Sequence, residues 1–264
     1  MLNIRNLSKV FNANTVNENI LFNNFSFRAK EGDFITIIGS NGAGKSSLLN
    51  IISGSLAIDE GTIVLGGDDI TSLPEYERTR NIGRVFQNPS MGVSANMTIL
   101  ENMSMAYNKG KTFGLSKGID KKNIEFFKEV LSDLDLGLEN KLNQKVGLLS
   151  GGQRQALSLI MATISKPKLL LLDEHTAALD PKTSEKIIEL TEKIITEVNI
   201  TTLMVTHNLN YAIKLGNRLL MMHQGKVMAD IEGEEKEKLT IDKLFSYFEK
   251  IQSKDILSDR ALFS

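Results

Sequence analysis

The 264-residue chain contains no cysteine and only three histidines. The missing thiols exclude disulfides, thiolate metal sites and a cysteine nucleophile, and fit a reducing compartment. Three scattered histidines are too few for a metal cluster. No segment approaches eighteen consecutive apolar residues, and the start, Met1 to Asn6, lacks a basic stretch followed by an apolar one. Neither a membrane span nor a cleaved export signal is therefore expected, and any membrane association is expected to come through a partner. An excess of charge of either sign is also missing. Lys and Arg number 31 against 32 Asp and Glu, a net charge of −1, which argues against a nucleic-acid partner.

What is present begins with 41% hydrophobic residues, enough for a substantial core as one domain or for a core plus an inserted lobe. Gly39-Ser40-Asn41-Gly42-Ala43-Gly44-Lys45-Ser46 is a full match to GxxxxGK[ST]. Its glycines let successive backbone N–H groups turn inward, and the helix expected from Ser47 onward adds its positive end to the same point. In that pattern Lys45 reaches the β- and γ-phosphates and the Ser46 hydroxyl ligates Mg²⁺. Phe34 to Ile38 reads as a buried strand before it, so the order is strand, loop, helix.

About a hundred residues later Leu149-Ser150-Gly151-Gly152-Gln153 forms a second nest of backbone amides. It also has a local explanation. Ser150 and Gln153 make a capping box for a helix from about Gly152 to Ser165, with Leu157, Ile160, Met161 and Ile164 on one face. One nucleotide needs only one cradle, so the second demands a reason.

Ile35 to Ile38, Leu169 to Leu172 and Thr202 to Val205 have the continuous apolar character of strands covered on both faces. Between the last two, Asp180 caps a helix that starts with Pro181 and repeats Ile187, Leu190, Ile194 and Val198, a βαβ crossover that makes the sheet mostly parallel. Residues 1 to about 32 alternate β-like runs (Leu2 to Val10, Ile20 to Arg28) with an Asn-rich loop, and Gly61 to Leu65 reads as another strand. From Asn88 to Ser165 only helical patterns occur, with a Gly- and Lys-rich loop at Lys109 to Gly118. From Glu232 onward a charged linker and a short amphipathic helix around Ile241 to Ile251 are expected.

The apolar run Leu169 to Leu172 ends in Asp173 and Glu174. At the C-terminal edge of a parallel sheet beside a phosphate loop, Asp173 is suited to hold Mg²⁺ or its water shell, and Glu174 to polarise an attacking water. A solvated acidic turn is the plainer alternative. Gln87, after Arg84-Val85-Phe86, and His207, after Met204-Val205-Thr206, follow strand-like runs and are expected at the same edge. There Gln87 meets Mg²⁺ or the water and His207 meets the γ-phosphate.

Taken together, Gly39 to Ser46, Gln87, Leu149 to Gln153, Leu169 to Glu174, Ala178-Leu179-Asp180 and His207 resemble, in order and spacing, the Walker A, Q-loop, signature, Walker B, D-loop and H-loop of ABC ATPases. The resemblance covers residues 1 to about 230. It implies an α/β P-loop NTPase (RecA-like) core of mostly parallel sheet, with an N-terminal antiparallel β subdomain and an inserted helical subdomain. One ATPase domain is expected over 1–231, with its core in 1–87 and 166–231 and the helical subdomain in 88–165, followed by a short extension over 232–264. It further implies ATP and Mg²⁺ as cofactors and a head-to-tail homodimer. In that dimer Ser150, Gly151, Gly152 and Gln153 of one subunit close over ATP held by Gly39 to Ser47 of the other, with Asp180 beside them. Two half-sites per chain become two complete sites per dimer.

Asn17-Glu18, Gly92 to Thr98, Val146 to Leu149 and the run Asp173-Glu174-His175-Thr176-Ala177-Ala178-Leu179-Asp180 look like a bacterial subfamily of importer ATPases. Members work at the cytoplasmic face of the membrane with a permease and an external binding protein, and some are associated with aromatic amino-acid uptake. The resemblance places adenine on an aromatic N-terminal to Walker A. Phe11 matches by position, with core packing as the alternative. His175 stands where most members have another residue, and a packing role is favoured for it. A soluble ATPase of iron–sulfur assembly and the ATPase of an exporter are the rival readings.

Overall fold

The computed structural model describes residues 1–111 and 118–248. Most of the Lys109 to Gly118 loop and the last residues of the Ile241 to Ile251 helix lie outside that range. In chain order the first elements are β1 (Leu2–Phe11), β2 (Asn19–Ala29), β3 (Phe34–Gly39), α1 (Lys45–Ser53), β4 (Glu60–Leu65), β5 (Asp68–Asp69), α2 (Glu75–Arg78) and β6 (Ile82–Val85). The helical lobe follows as α3 (Ile99–Tyr107), α4 (Ile124–Ser132) and α5 (Gly151–Thr163). The chain then returns to the core through β7 (Leu169–Asp173), α6 (Pro181–Val198), β8 (Thr201–Val205), α7 (Leu209–Lys214), β9 (Arg218–His223), β10 (Lys226–Glu232) and α8 (Glu234–Glu237).

Two sheets organise these elements. β2-β1-β4-β5 is antiparallel, and in β10-β9-β3-β8-β7-β6 every neighbouring pair is parallel except the edge pair β10 and β9. In β1 the buried Leu2 and Ile4 alternate with Asn3 and Arg5, as a half-covered strand requires. Asn6 then takes a left-handed φ of 51°, the register shifts, and Leu7 returns to the core face. Phe22, Phe25 and Phe27 of β2 join it against Ile35, Ile37 and the apolar side of α1.

The central strands β3, β7 and β8 carry no alternation because helices cover one face and the antiparallel sheet the other. α6 connects β7 to β8, which pair directly in parallel register from Leu169↔Thr201 to Asp173↔Val205. Asp180 caps that helix through the Thr183 N–H at 3.1 Å, Pro181 opens it, and Asn199 closes it in the left-handed region at φ 52°. This crossover, together with the parallel pairing of β3 on β8, brings the ends of β3, β7 and β8 to one edge, the place where open α/β sheets bind ligands.

The chain after His207 is richer in structure than the sequence reading provides. β9 and β10 form a hairpin whose two-residue turn, Gln224 and Gly225, has φ of 45° and 71°, both positive as a tight I′-like turn requires. Gln-Gly is a weaker turn signal than Asn-Gly, and the methionine-rich Leu219 to Met222 lacks β-branched residues, so neither strand is legible locally. The expected linker after Glu232 is also corrected. Leu239 and Leu244 are buried with Ile38, Leu219 and Met221. Lys236 is buried too, its amine donating to the Ile213 and Leu215 carbonyls at the end of α7. The charged stretch thus docks because one of its lysines terminates a helix. Residues 241–248 are helical.

Candidate nucleotide site

The phosphate loop leaves β3 at Gly39, pressed so tightly on β9 that a Cβ there would stand 2.0 Å from the Met222 carbonyl oxygen. No other residue fits. At Gly42 (φ 78°) a Cβ would meet nothing within 4 Å, so the loop mouth is open. α1 begins at Lys45 with Gly44 as N-cap and no side-chain cap. Its first amides are therefore free to bind phosphate oxygens, with the helix dipole behind them. The Lys45 ammonium is held over the loop by the carbonyls of Gly39 at 2.8 Å and Ser40 at 2.9 Å. Burial pulls its pKa down, and the charges of Glu174 and Asp173 oppose that pull.

From β7, Asp173 Oδ1 accepts a hydrogen bond from Ser46 Oγ at 2.9 Å. A carboxylate and a hydroxyl in contact beside an open amide cradle are the hard oxygen donors that suit Mg²⁺. Glu174 takes a left-handed φ of 46°, costly for a non-glycine residue. In that conformation its N–H is bonded to Val205 O at 3.0 Å and its Oε1 lies 2.7 Å from His207 Nε2. The carboxylate is largely buried while the imidazole is half exposed, so the pair faces the open side of the edge.

Gln87 lies exposed beyond the end of β6, on the same side of the sheet, and does not hydrogen-bond to Ser46 or Asp173. Phe11 is half-buried and belongs to none of the apolar clusters. It ends β1 opposite Asn19 of β2, the strand whose Leu21 and Phe22 pack on Gly44. Ser40 is exposed, and its Oγ lies 3.1 Å from Nδ1 of His223. Ser47 is half-buried in the first turn of α1.

The second cradle stands apart. Ser150 Oγ accepts the Gln153 N–H at 3.2 Å while Gln153 Oε1 accepts the Ser150 N–H at 3.2 Å, a complete capping box. Gly152 is needed for packing, since a Cβ would meet Thr183 Cγ2 at 2.4 Å. Asp180, exposed at the start of α6, is spent on its own N-cap.

His175 is 1% exposed. Thr191 Oγ1 gives its hydrogen to Ile187 O at 2.7 Å, so His175 Nε2 donates to Thr191 at 3.0 Å. Nδ1 is buried with no partner among the described residues. Burial drives the imidazole pKa down from 6.5 to about 4. His175 is a neutral packing residue between β7 and α6. Sequence reasoning missed two residues at the edge, His223 and Arg84. A charge inside the strand-like run before Gln87 was the available signal for Arg84.

Residues 22–177 match the model of the ABC transporter family. The chain belongs to this family. As an ABC ATP-binding cassette it binds ATP and is an ATPase. The tyrosine transport ATP-binding protein of Clostridioides difficile (strain R20291) is 52% identical over 251 residues, spanning 94% of this chain and 99% of that protein. The spermidine/putrescine import ATP-binding protein PotA of Haemophilus influenzae (strain ATCC 51907 / DSM 11121 / KW20 / Rd) is 32% identical over 231 residues; the match takes in 87% of this cassette and 57% of PotA. Among solved structures, the ATP-binding cassette MJ0796, a dimer in a post-hydrolysis state with ADP and Pi, superposes with a TM-score of 0.75. It is 31% identical, with 88% of this chain and 98% of that one covered. The cassette is therefore the ATP-binding subunit of an ABC transporter. Among the described residues no helix is long and apolar enough to cross a membrane.

Proposed function

We propose that this ABC ATPase powers import of a small amino-acid-like solute through a separate permease at the cytoplasmic face of the membrane, assisted by an external binding protein. The 52% identity to a tyrosine transport ATP-binding protein along nearly the whole chain carries the reading. It favours transport over cofactor assembly, and the import named for PotA favours uptake over export.

In the mechanism we infer, the loop amides and Lys45 hold the β- and γ-phosphates. Ser46 and Asp173 hold Mg²⁺, assisted by Gln87. Bound Mg²⁺ supplies neutralisation of the charge that develops between the two phosphates. Glu174 accepts the proton of a water whose oxygen attacks the γ-phosphorus as the bond to the β-phosphate oxygen breaks. His207, 2.7 Å from that carboxylate, orients it and meets the γ-phosphate. Phe11 stacks on adenine. Ser150, Gly151 and Gly152 of a second copy, with Gln153 and Asp180 alongside, complete the site in a head-to-tail dimer, and the dimeric state of the similar cassette MJ0796 supports a second copy.

Coupling to a permease has a physical route. The segment after Gln87 is stitched to the segment before the signature by Gly147 N–H to Ala95 O at 2.9 Å and Val146 N–H to Met97 O at 3.0 Å. Arg154 adds a bond to Ser90 Oγ at 3.0 Å. A groove between β6, α3 and α5 exposes Met91 and Met105, flexible apolar side chains suited to receive a permease helix, whereas Met103 is core. Motion entering at that groove reaches Ser150 through the stitched segments.

Affinity capture of the tagged cassette from solubilised membranes is expected to recover a multi-span permease; its absence would favour a soluble role. Glu174→Gln is expected to retain ATP and form a stable dimer in the ultracentrifuge while turnover falls by about 10²- to 10⁴-fold. Wild-type turnover in that variant would remove Glu174 from the mechanism.

A further inference from the structure

Arg84 is the cation nearest the metal-site carboxylate in the strand next to it. It lies on β6, paired with Leu171 of β7, two residues before Asp173 along that neighbouring strand. Its side chain is 11% exposed. Nη2 donates to Asn50 Oδ1 at 2.5 Å and Nη1 to Ser53 Oγ at 2.9 Å and Ser55 Oγ at 3.1 Å, all from α1 and its C-terminal end. The guanidinium stacks over Phe86 with 4.5 Å to the ring centroid. Nη2 also stands 3.8 Å from Asp173 Oδ2.

The two oxygens of Asp173 are thus divided. Oδ1 faces Ser46 at the start of α1, and Oδ2 faces a cation clamped to the end of the same helix. A planar fork held by three oxygen acceptors and an aromatic face has little freedom, so it fixes the direction of the carboxylate it approaches. Partners of this kind behind a metal-holding carboxylate govern its orientation and commonly change metal affinity 10- to 100-fold when removed.

We propose that Arg84 is a positioning residue that aims the Asp173 carboxylate, and through it sets the divalent-cation affinity of the nucleotide site. This rests on Asp173 holding the cation. The positive charge opposes a second cation nearby, yet Arg84 is already neutralised in part by Asp173 and stabilised by α1, so loss of aim outweighs relief of repulsion.

The test is a Mn²⁺ titration followed by electron paramagnetic resonance on the full chain with ADP, alongside ADP affinity measured in EDTA. Arg84→Met is expected to weaken Mn²⁺ binding about 10- to 100-fold while metal-free ADP affinity changes less than about twofold. Asn50→Ala, which keeps the charge but frees the fork, is expected to give an intermediate loss, as is Arg84→Lys. Equal or tighter Mn²⁺ binding in Arg84→Met, with an unchanged circular dichroism spectrum, would overturn the proposal. So would wild-type Mn²⁺ affinity in both Asn50→Ala and Arg84→Lys, which would leave charge without aim. Asp173→Asn separates the two readings: if it leaves Mn²⁺ affinity intact, the metal role of Asp173 fails first. If it abolishes binding while Arg84→Met keeps wild-type Mn²⁺ affinity, only the role of Arg84 falls.

Discussion

The two amide nests of this cassette differ in how they are completed. At Gly39 to Ser47 the chain leaves the helix start uncapped, and it gathers Lys45, Ser46, Asp173, Glu174 and His207 around an open mouth. At Leu149 to Gln153 the helix start is capped by its own serine, and its glycine is pressed against Thr183 of α6. Among the described residues the first nest has Asp173 and Glu174 beside an open mouth, whereas the second has a rigid mount and the carboxylate of Asp180, which caps its own helix. Such a division makes sense if each is half of a site completed by another copy.

Complementation can break that comparison outright. Lys45→Ala and Ser150→Arg chains, each also carrying Glu174→Gln to trap nucleotide, should retain no ATP alone on gel filtration. Mixed, they should retain up to about one ATP per pair, because one head-to-tail arrangement restores an intact loop facing an intact signature. No recovery would mean that each chain uses its own two nests.

A second test concerns α6, against which Gly152 packs and to which His175 is bonded through Thr191. Above pH 6.5 His175 is neutral folded or unfolded. As pH falls from 6.5 towards about 4 the unfolded chain takes the proton and the folded chain does not. That difference should cost up to about 3 kcal/mol of stability by the low end of the window. His175→Leu should flatten this part of the pH dependence in urea unfolding, and an unchanged slope would place the loss elsewhere.

The smallest effect separates the cap from the contact at Ser150. Ser150→Ala should lower stability by about 1 kcal/mol, whereas Ser150→Asp, an equally good N-cap, should stay within about 0.5 kcal/mol of wild type. Both should impair the ATP-dependent dimer, the aspartate more strongly by placing a negative charge against phosphate. An intact dimer in Ser150→Asp would reduce this residue to a helix cap.

Much of this was legible beforehand where a local rule sufficed. The GxxxxGKS run, the Ser150–Gln153 capping box, Pro181 after Asp180 and the unbroken apolar strands each constrain a few adjacent residues, and the structure has these elements as read. The β9–β10 hairpin was illegible because its turn is Gln-Gly, and the docking of residues 236–244 because a buried lysine cannot be inferred from a charged stretch.

The sequence by itself determined which groups are available: one phosphate loop, one signature, a carboxylate pair after a strand, and a histidine after another. Their chemistry and order follow from residue type and near-neighbour spacing. Only the tertiary structure decided their partners. The β7-α6-β8 crossover carries Glu174 and His207, 33 positions apart in the numbering, to within 2.7 Å, and Ser46 is set against Asp173 across 127 residues. Sheet register likewise sets Arg84 behind Asp173, and contact with Thr191 of α6 holds His175 buried. Such distances are fixed by strand pairing and burial between remote segments, which no local window of sequence contains.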